Sequence, residues 1–269
     1  MHGRRSSHVR GATGEREIVG AVLDSAPQPS RDPKQADPKQ VSIEETGEIA
    51  GIARLDLDRA RRTAVPEVVF AAGKTEEQTL RLLAAMRRGE PQFPALATRC
   101  PEGVLRRAPG AFPAEPVVTD PLGQTVIVGG LPPARGFVAV LTAGTSDLPV
   151  AHEAIATLQA FGAGHRLIAD VGVAGLHRLL AHLDELSRAD CVIAIAGMEG
   201  TLPGVVTGLV RAPVVGVPTS VGYGVSAGGY VAAAAMLASC APGLCVVNID
   251  NGFGAAAHAI KIVNQVHGG

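Results

Sequence analysis

The chain has 269 residues, 46% of them hydrophobic, and a formal net charge of -1. That length and apolar content suit one large or two modest folded domains and exclude an intrinsically disordered chain. Near-neutral charge and an aromatic content of 3% supply neither the electrostatic pull nor the stacking surfaces that nucleic acid needs, so small molecules are the expected partners and no nucleic acid is.

Residues 1–42 are polar and rich in Arg, Pro and Ser, with the near-repeat Asp32-Pro-Lys-Gln35, Asp37-Pro-Lys-Gln40. Such a segment cannot bury enough apolar surface to offset the entropy of ordering it, and a flexible tail is expected. It lacks the apolar run of a secretory signal, and Glu15, Glu17 and Asp24 argue against an organelle transit peptide.

Residues 43–124 read as a small α/β domain with a linker. Ile49, Ile52, Ala53 and Leu57 have rough helical spacing, and Pro66 introduces a strand over residues 67–70. A helix over 76–88 follows, with Thr75 as its N-cap and Gln78 as the reciprocal partner. Gly73-Lys-Thr75 between strand and helix resembles half of a phosphate loop, but Val68 stands where the first glycine is needed, so ATPase activity is not expected. Lys74 is either an exposed turn lysine or a side chain that reaches an anionic ligand. Five prolines between residues 101 and 123 predict an extended connection.

Residues 125–269 form the second predicted domain, with the boundary expected near 125–135 and a strand over 125–128 that could belong to either side. Strands over 137–141, 166–169, 191–196, 214–217 and 244–249 alternate with helices over 148–161, 173–187, 203–210, 226–239 and 254–266. Such alternation implies a parallel sheet with helices on both faces. Ligands then bind outside the carboxyl ends of the strands, so the loops that follow them carry the candidate site.

The first loop offers Gly144, Ser146 and Asp147 as a cradle for phosphate or ribose hydroxyls, although Ser146 or Asp147 could simply cap the helix. The second offers His177, a neutral-pH proton carrier, and Arg178, a phosphate clamp, against the plainer reading of a solvated pair. The third, Gly197-Met-Glu-Gly200, places the carboxylate of Glu199 near unpaired helix amides as a general base or a dipole partner. Gly197, Met198 and Gly200 let the backbone approach a ligand there. The fourth carries Tyr223, and the fifth carries Asp250 and Asn251.

No charged residue occurs between Arg211 and Asp250, a length that could cross a bilayer. Prolines and glycines divide it into strand and helix lengths, so no membrane span is expected. The cysteines, Cys100, Cys191, Cys240 and Cys245, lack zinc-site spacing, which gives no metal ligands and fits a reducing cytoplasm. Cys191 and Cys245 open strands and are expected as buried small hydrophobes. Cys240 ends a helix beside a Pro-Gly turn, where a thiolate would need a compensating positive charge.

Gly144-Thr-Ser-Asp-Leu-Pro149, His177-Arg178, Gly197-Met-Glu-Gly-Thr-Leu-Pro-Gly204 and Gly216-Val-Pro218 resemble the nucleotide loops of the aminoimidazole ribonucleotide carboxylase and mutase family. Pro66 to Thr75, Asp170 to Arg178, Gly197 to Gly200 and Val246 to Gly254 resemble more closely the LarB family of nickel-pincer cofactor synthesis. The resemblance implies an α/β, flavodoxin-like parallel sheet with a small N-terminal α/β domain, assembled as a homo-oligomer, an octamer in the purine family. It implies carboxylation of nicotinic acid adenine dinucleotide by CO2 or bicarbonate at ring carbon 5. Hydrolysis of the phosphoanhydride then gives pyridinium-3,5-biscarboxylic acid mononucleotide and AMP, for lactate racemase maturation.

By position, Cys240 matches the family's nucleophile and Glu199 its active-site acid, with His177 as the alternative base. Gly144, Ser146, Asp147, Arg178, Gly197, Met198, Gly200, Asp250 and Asn251 would hold substrate, with Lys74 leaning in from the small domain. No tightly bound cofactor is implied, although hydrolysis could use a divalent cation such as Mg2+. The competing readings are a purine-pathway carboxylase or mutase, which needs no cysteine, and a non-catalytic nucleotide-binding protein.

Overall fold

The computed structural model describes residues 48–49 and 53–268, so the expected tail over 1–42 lies outside the described residues. A two-stranded antiparallel ribbon, β1 (Glu48–Ile49) and β2 (Ala53–Arg54), opens the described chain. It stands where helical spacing predicts a helix, and the first helix, α1, begins only at Arg59–Thr63. Val65 and Leu55 are buried on either side of α1, which itself buries nothing.

The small unit is built on β3 (Val68–Phe70), α2 (Glu76–Gly89), β4 (Ala95–Thr98), α3 (Glu102–Ala111), β5 (Val117–Asp120) and β6 (Thr125–Val128). Its four strands lie in the order β3-β4-β6-β5, the first pair parallel and the others antiparallel. Thr75 and Gln78 form the predicted reciprocal cap: the Gln78 amide donates to Thr75 Oγ1 at 3.1 Å and the Thr75 amide to Gln78 Oε1 at 2.9 Å. The expected extended connection over 101–123 is instead α3 and β5. Pro101 stands just outside the helix, where no amide is needed, and Val104, Leu105 and Ala108 bury one face. That burial outweighs the cost of Pro109 in the last turn.

Strand β6, which the sequence leaves free to join either domain, pairs with β4 and β5. The junction therefore falls after Val128, not before Thr125. Alternation along β4 and β6 explains how the small sheet is used. Ala95, Ala97, Val126 and Val128 face α2 and α3 in one core, whereas Leu96 and Ile127 join the core of the larger sheet.

That larger sheet contains β7 (Arg135–Thr142), β8 (Ala163–Ile168), β9 (Cys191–Ala196), β10 (Val214–Pro218) and β11 (Leu244–Val246). All its pairings are parallel, and the order is β11-β10-β9-β7-β8. This is the flavodoxin-like order, whose direction reverses between the first and third strands, here β7 and β9. Helices α4 (Leu148–Ala160) and α9 (Gly252–His267) cover one face. The other is covered by α5 (Leu176–Leu180), α6 (Leu183–Leu186), α7 (Thr201–Thr207) and α8 (Tyr230–Leu237).

Two expected helices on that second face are shorter than their apolar patterns suggest. The segment over 173–187 is a 3-10 turn followed by α5 and α6. The helix expected from Ser226 starts at Tyr230, because Gly228 and Gly229 take φ of 75° and 79°. A side chain on Gly229 would meet the Thr219 carbonyl oxygen at 2.6 Å, so the glycine permits a close approach no other residue could make. None of the described helices is long and apolar enough to cross a membrane.

Candidate active site

At the reversal between β7 and β9 the two following loops diverge and leave a cleft of about 350 Å³. Gly144, Ser146 and Asp147 come from the loop after β7, Arg178 from α5, and Gly197, Met198 and Glu199 from the loop after β9. The cleft thus brings together seven residues that the sequence nominates separately.

Asp147 is the hub of this arrangement. It is 3% exposed; Thr219 Oγ1 donates to its Oδ1 at 2.7 Å and the Gly144 amide to its Oδ2 at 3.0 Å. Burial pushes its carboxyl up from the ordinary value, against the hydrogen bonds from Thr219 and the Gly144 and Gly197 amides, which favour the charged form. One side chain therefore ties together the loops after β7, β9 and β10. Strain accompanies the closure: Met198, Asp170 and Asp250, all non-glycine residues in loops after strands, take φ of 53°, 59° and 56°. Such conformations persist where surrounding contacts fix them and cluster at functional sites. Met198 is fixed by its amide, which donates to the Val221 carbonyl at 2.8 Å.

Glu199 is exposed on the rim and accepts from Thr201 Oγ1 at 3.1 Å. Arg178, also on the rim, pairs with Asp170 and lies over Gly175. An anionic ligand would compete with Asp170 for this guanidinium, whose planar fork suits phosphate. The cleft offers one cation, Arg178, one exposed carboxylate, Glu199, and the hydroxyls of Ser146 and Thr201, a set suited to a phosphorylated ligand that must lose or gain a proton.

Residues 47–128 match the family described as the LarB/PurE-like N-terminal domain, and residues 137–267 match AIR carboxylase. An uncharacterised protein of Methanocaldococcus jannaschii is 38% identical over 238 residues, covering 85% of this chain and 91% of its own length. The chain belongs to the LarB/PurE-like family. An N5-carboxyaminoimidazole ribonucleotide mutase of the same organism is 38% identical over 85 residues, covering 30% of this chain and 52% of the mutase. Among solved structures, Treponema denticola PurE superposes with a TM-score of 0.42 at 22% identity, over 49% of this chain and 82% of that one.

Within this LarB/PurE-like chain the other candidates sit outside the cleft. His177 is exposed on α5 and does not line it. Lys74 donates from Nζ to the Phe70 carbonyl at 2.7 Å, closing its own turn. Gly200 is buried with φ of 65°, and a side chain there would meet the Ala232 carbonyl oxygen at 2.7 Å, so the glycine lets α7 seat on α8. Asn251 caps α9 by accepting from the Gly254 amide at 2.7 Å. Asp250 accepts from the Ser220 amide at 2.7 Å and lines a neighbouring cavity.

Cys240 is exposed. It follows α8, which leads away from the carboxyl end of β10 toward the start of β11; eight residues of helix span about 12 Å. Within one chain it does not line the cleft. Cys245, expected to be buried, is exposed because it lies on β11, a three-residue edge strand. Cys100 and Cys191 are buried, and burial pushes each thiol up to about 12. Among the described residues no group of three or more His, Cys, Asp or Glu could hold a metal ion.

Sequence reasoning missed Thr219, Val221 and Arg99. Thr219 directly follows β10, so its place after a strand was visible, but its partner lies 72 positions away. Arg99 Nε pairs at 3.0 Å with Glu153, whose side chain is 5% exposed, and Arg99 also donates to the Asp250 carbonyl. Nothing local to Arg99 announces either contact.

Proposed function

We propose that this protein carboxylates the pyridinium ring of nicotinic acid adenine dinucleotide at carbon 5 and hydrolyses its phosphoanhydride, giving pyridinium-3,5-biscarboxylic acid mononucleotide and AMP. The observation that supports it best is the cleft at the β7/β9 reversal, with Ser146, Arg178 and Glu199 on its walls, in a chain that also carries the LarB/PurE-like N-terminal domain.

In this reading the Cys240 thiolate adds to ring carbon 4, and its electron pair neutralises the pyridinium nitrogen. The resulting enamine attacks carbon dioxide through carbon 5, forming the new carbon–carbon bond. Glu199 takes the proton from carbon 5, the electrons of that bond regenerate the enamine, and the nitrogen lone pair then expels the thiolate from carbon 4 to restore the aromatic pyridinium. Glu199 is preferred to His177 as the base because it lines the cleft. Water then cleaves the anhydride. A magnesium ion, if used, would be carried largely by the substrate phosphates, since such ions keep several waters and few protein ligands.

Within one chain Cys240 does not line the cleft that holds Glu199, so in this reading the two come from different subunits. The exposed apolar side chains of Tyr223, Val225, Tyr230 and Leu237, each at least 75% exposed, give the face on which a homo-oligomer would form. Complementation tests both points. Cys240→Ser and Glu199→Gln chains are each expected to be inactive, and mixed oligomers of the two to regain a fraction of wild-type turnover. Full turnover by Cys240→Ser would remove the covalent step; if the substrate used were N5-carboxyaminoimidazole ribonucleotide, a purine mutase would be the better reading. No recovery on mixing would contradict the shared site.

A further inference from the structure

A second cavity, of about 460 Å³, lies between the small unit and the larger sheet. Arg99 and the β5–β6 turn form one wall; the first turns of α4 and the residues after β10 and β11 form the other. Ser146 and Val221 line both this cavity and the switch-point cleft. The two spaces therefore meet at the start of α4, and each falls within the range of about 300–1,000 Å³ usual for small-molecule sites.

The second cavity differs from the first in how its cation is paired. Its one cation, Arg99, is already paired with buried Glu153 and donates to the Asp250 carbonyl. Pro121, Leu122, Pro149 and Val150 give it apolar surface on both walls. Asp250 Oδ1 is engaged by the Ser220 amide, but its other oxygen makes no hydrogen bond among the described residues. A space with a paired cation, apolar surface and a carboxylate oxygen to spare suits an uncharged nucleoside, whose base packs on aliphatic surface and whose ribose diol donates to the carboxylate. It does not suit a second phosphate.

Its construction indicates a shaped site. Arg99 and Gln124, both on its wall, take φ of 55° and 52°, and the Cys100 amide donates to the Gln124 carbonyl at 2.8 Å, which fixes the two loops against each other.

The geometry points to this cavity as the subsite for the nucleoside half of the substrate, the part released as AMP, with the anhydride crossing the neck at Ser146 and the pyridinium half in the switch-point cleft. This rests on the dinucleotide reading above and assigns a function to the small unit. Formation of the subsite requires both units of one chain.

The test is calorimetric titration of the full-length protein with AMP and with nicotinic acid mononucleotide, alongside the KM for the dinucleotide. Leu122→Trp fills the cavity from an exposed turn, and Ser220→Tyr fills it from the opposite wall; a thermal melt matching the wild type confirms folding of either. Each is expected to weaken AMP binding and raise the dinucleotide KM by about tenfold or more, with mononucleotide affinity unchanged. Wild-type turnover of the dinucleotide together with unchanged AMP affinity and KM in both folded variants would overturn the subsite and leave the reaction standing. Absence of turnover with AMP binding that both variants abolish would overturn the reaction and support the subsite. No binding of AMP by the wild type at millimolar concentration would overturn the subsite.

Discussion

A methyl group added to Gly197 would lie 2.3 Å from the Val221 carbonyl oxygen and 2.7 Å from Thr219 Oγ1. Gly197→Ala is therefore expected to destabilise the fold by about 1–3 kcal/mol, the usual cost of overpacking, and to weaken nucleotide binding by disturbing the Asp147 hub. Gly144→Ala is the control: the nearest atom its methyl would meet is Asp147 Oδ2 at 3.9 Å, and its φ of -136° is open to any residue. Urea melts of the two variants check this; equal stability would show that the loops after β9 and β10 separate freely. The sequence marked Gly197 and Asp147 as loop residues after strands but not what they do there. Asp147 reads as a helix cap or a ligand, whereas its carboxylate accepts from a residue 72 positions later. Contacts at that separation leave no local signature.

Strands and helices of the larger sheet were legible because an alternating run of apolar strands and periodic helices admits few arrangements. Where pattern failed, a specific burial or backbone constraint overrode it, as with the prolines of α3 and the glycines that delay α8. The turn joining β5 to β6 falls within the segment expected to be extended and carries a contact between the two units. Asp120 accepts from His152 Nδ1 of α4 at 2.6 Å and from the amides of Leu122 and Gly123 at 2.9 and 3.1 Å. Burial pushes its carboxyl up, but the Gly123 amide, His152 and the Leu122 amide together outweigh it and hold Asp120 below its ordinary 3.8. A depressed folded value means the stabilisation is fully present above pH 3.8 and is lost as the pH falls through the lower folded value. Asp120→Asn should lower the melting temperature at neutral pH, with the gap closing as the pH drops below 3.8. A gap constant across that range would show that the carboxylate charge contributes nothing.

At the scale of the whole molecule, the small unit and the flavodoxin-like sheet share one core through Leu96 and Ile127. The sequence could not place that junction, because Thr125–Val128 reads as a strand whichever sheet it joins and only pairing decides. Likewise the sequence nominated Cys240 and Glu199 for one reaction but could not say that Cys240 lies outside the cleft lined by Glu199 within one chain, since the run of α8 follows from topology. The central claim is a carbon–carbon bond formed on a pyridinium ring at a site completed by a second copy of the chain. Its most direct test is incubation of the protein with nicotinic acid adenine dinucleotide, magnesium and isotope-labelled bicarbonate, followed by mass spectrometry of the small molecules. The account predicts AMP together with a mononucleotide heavier than nicotinic acid mononucleotide by one labelled carbon dioxide; unchanged dinucleotide, or AMP released beside an unlabelled mononucleotide, would contradict it.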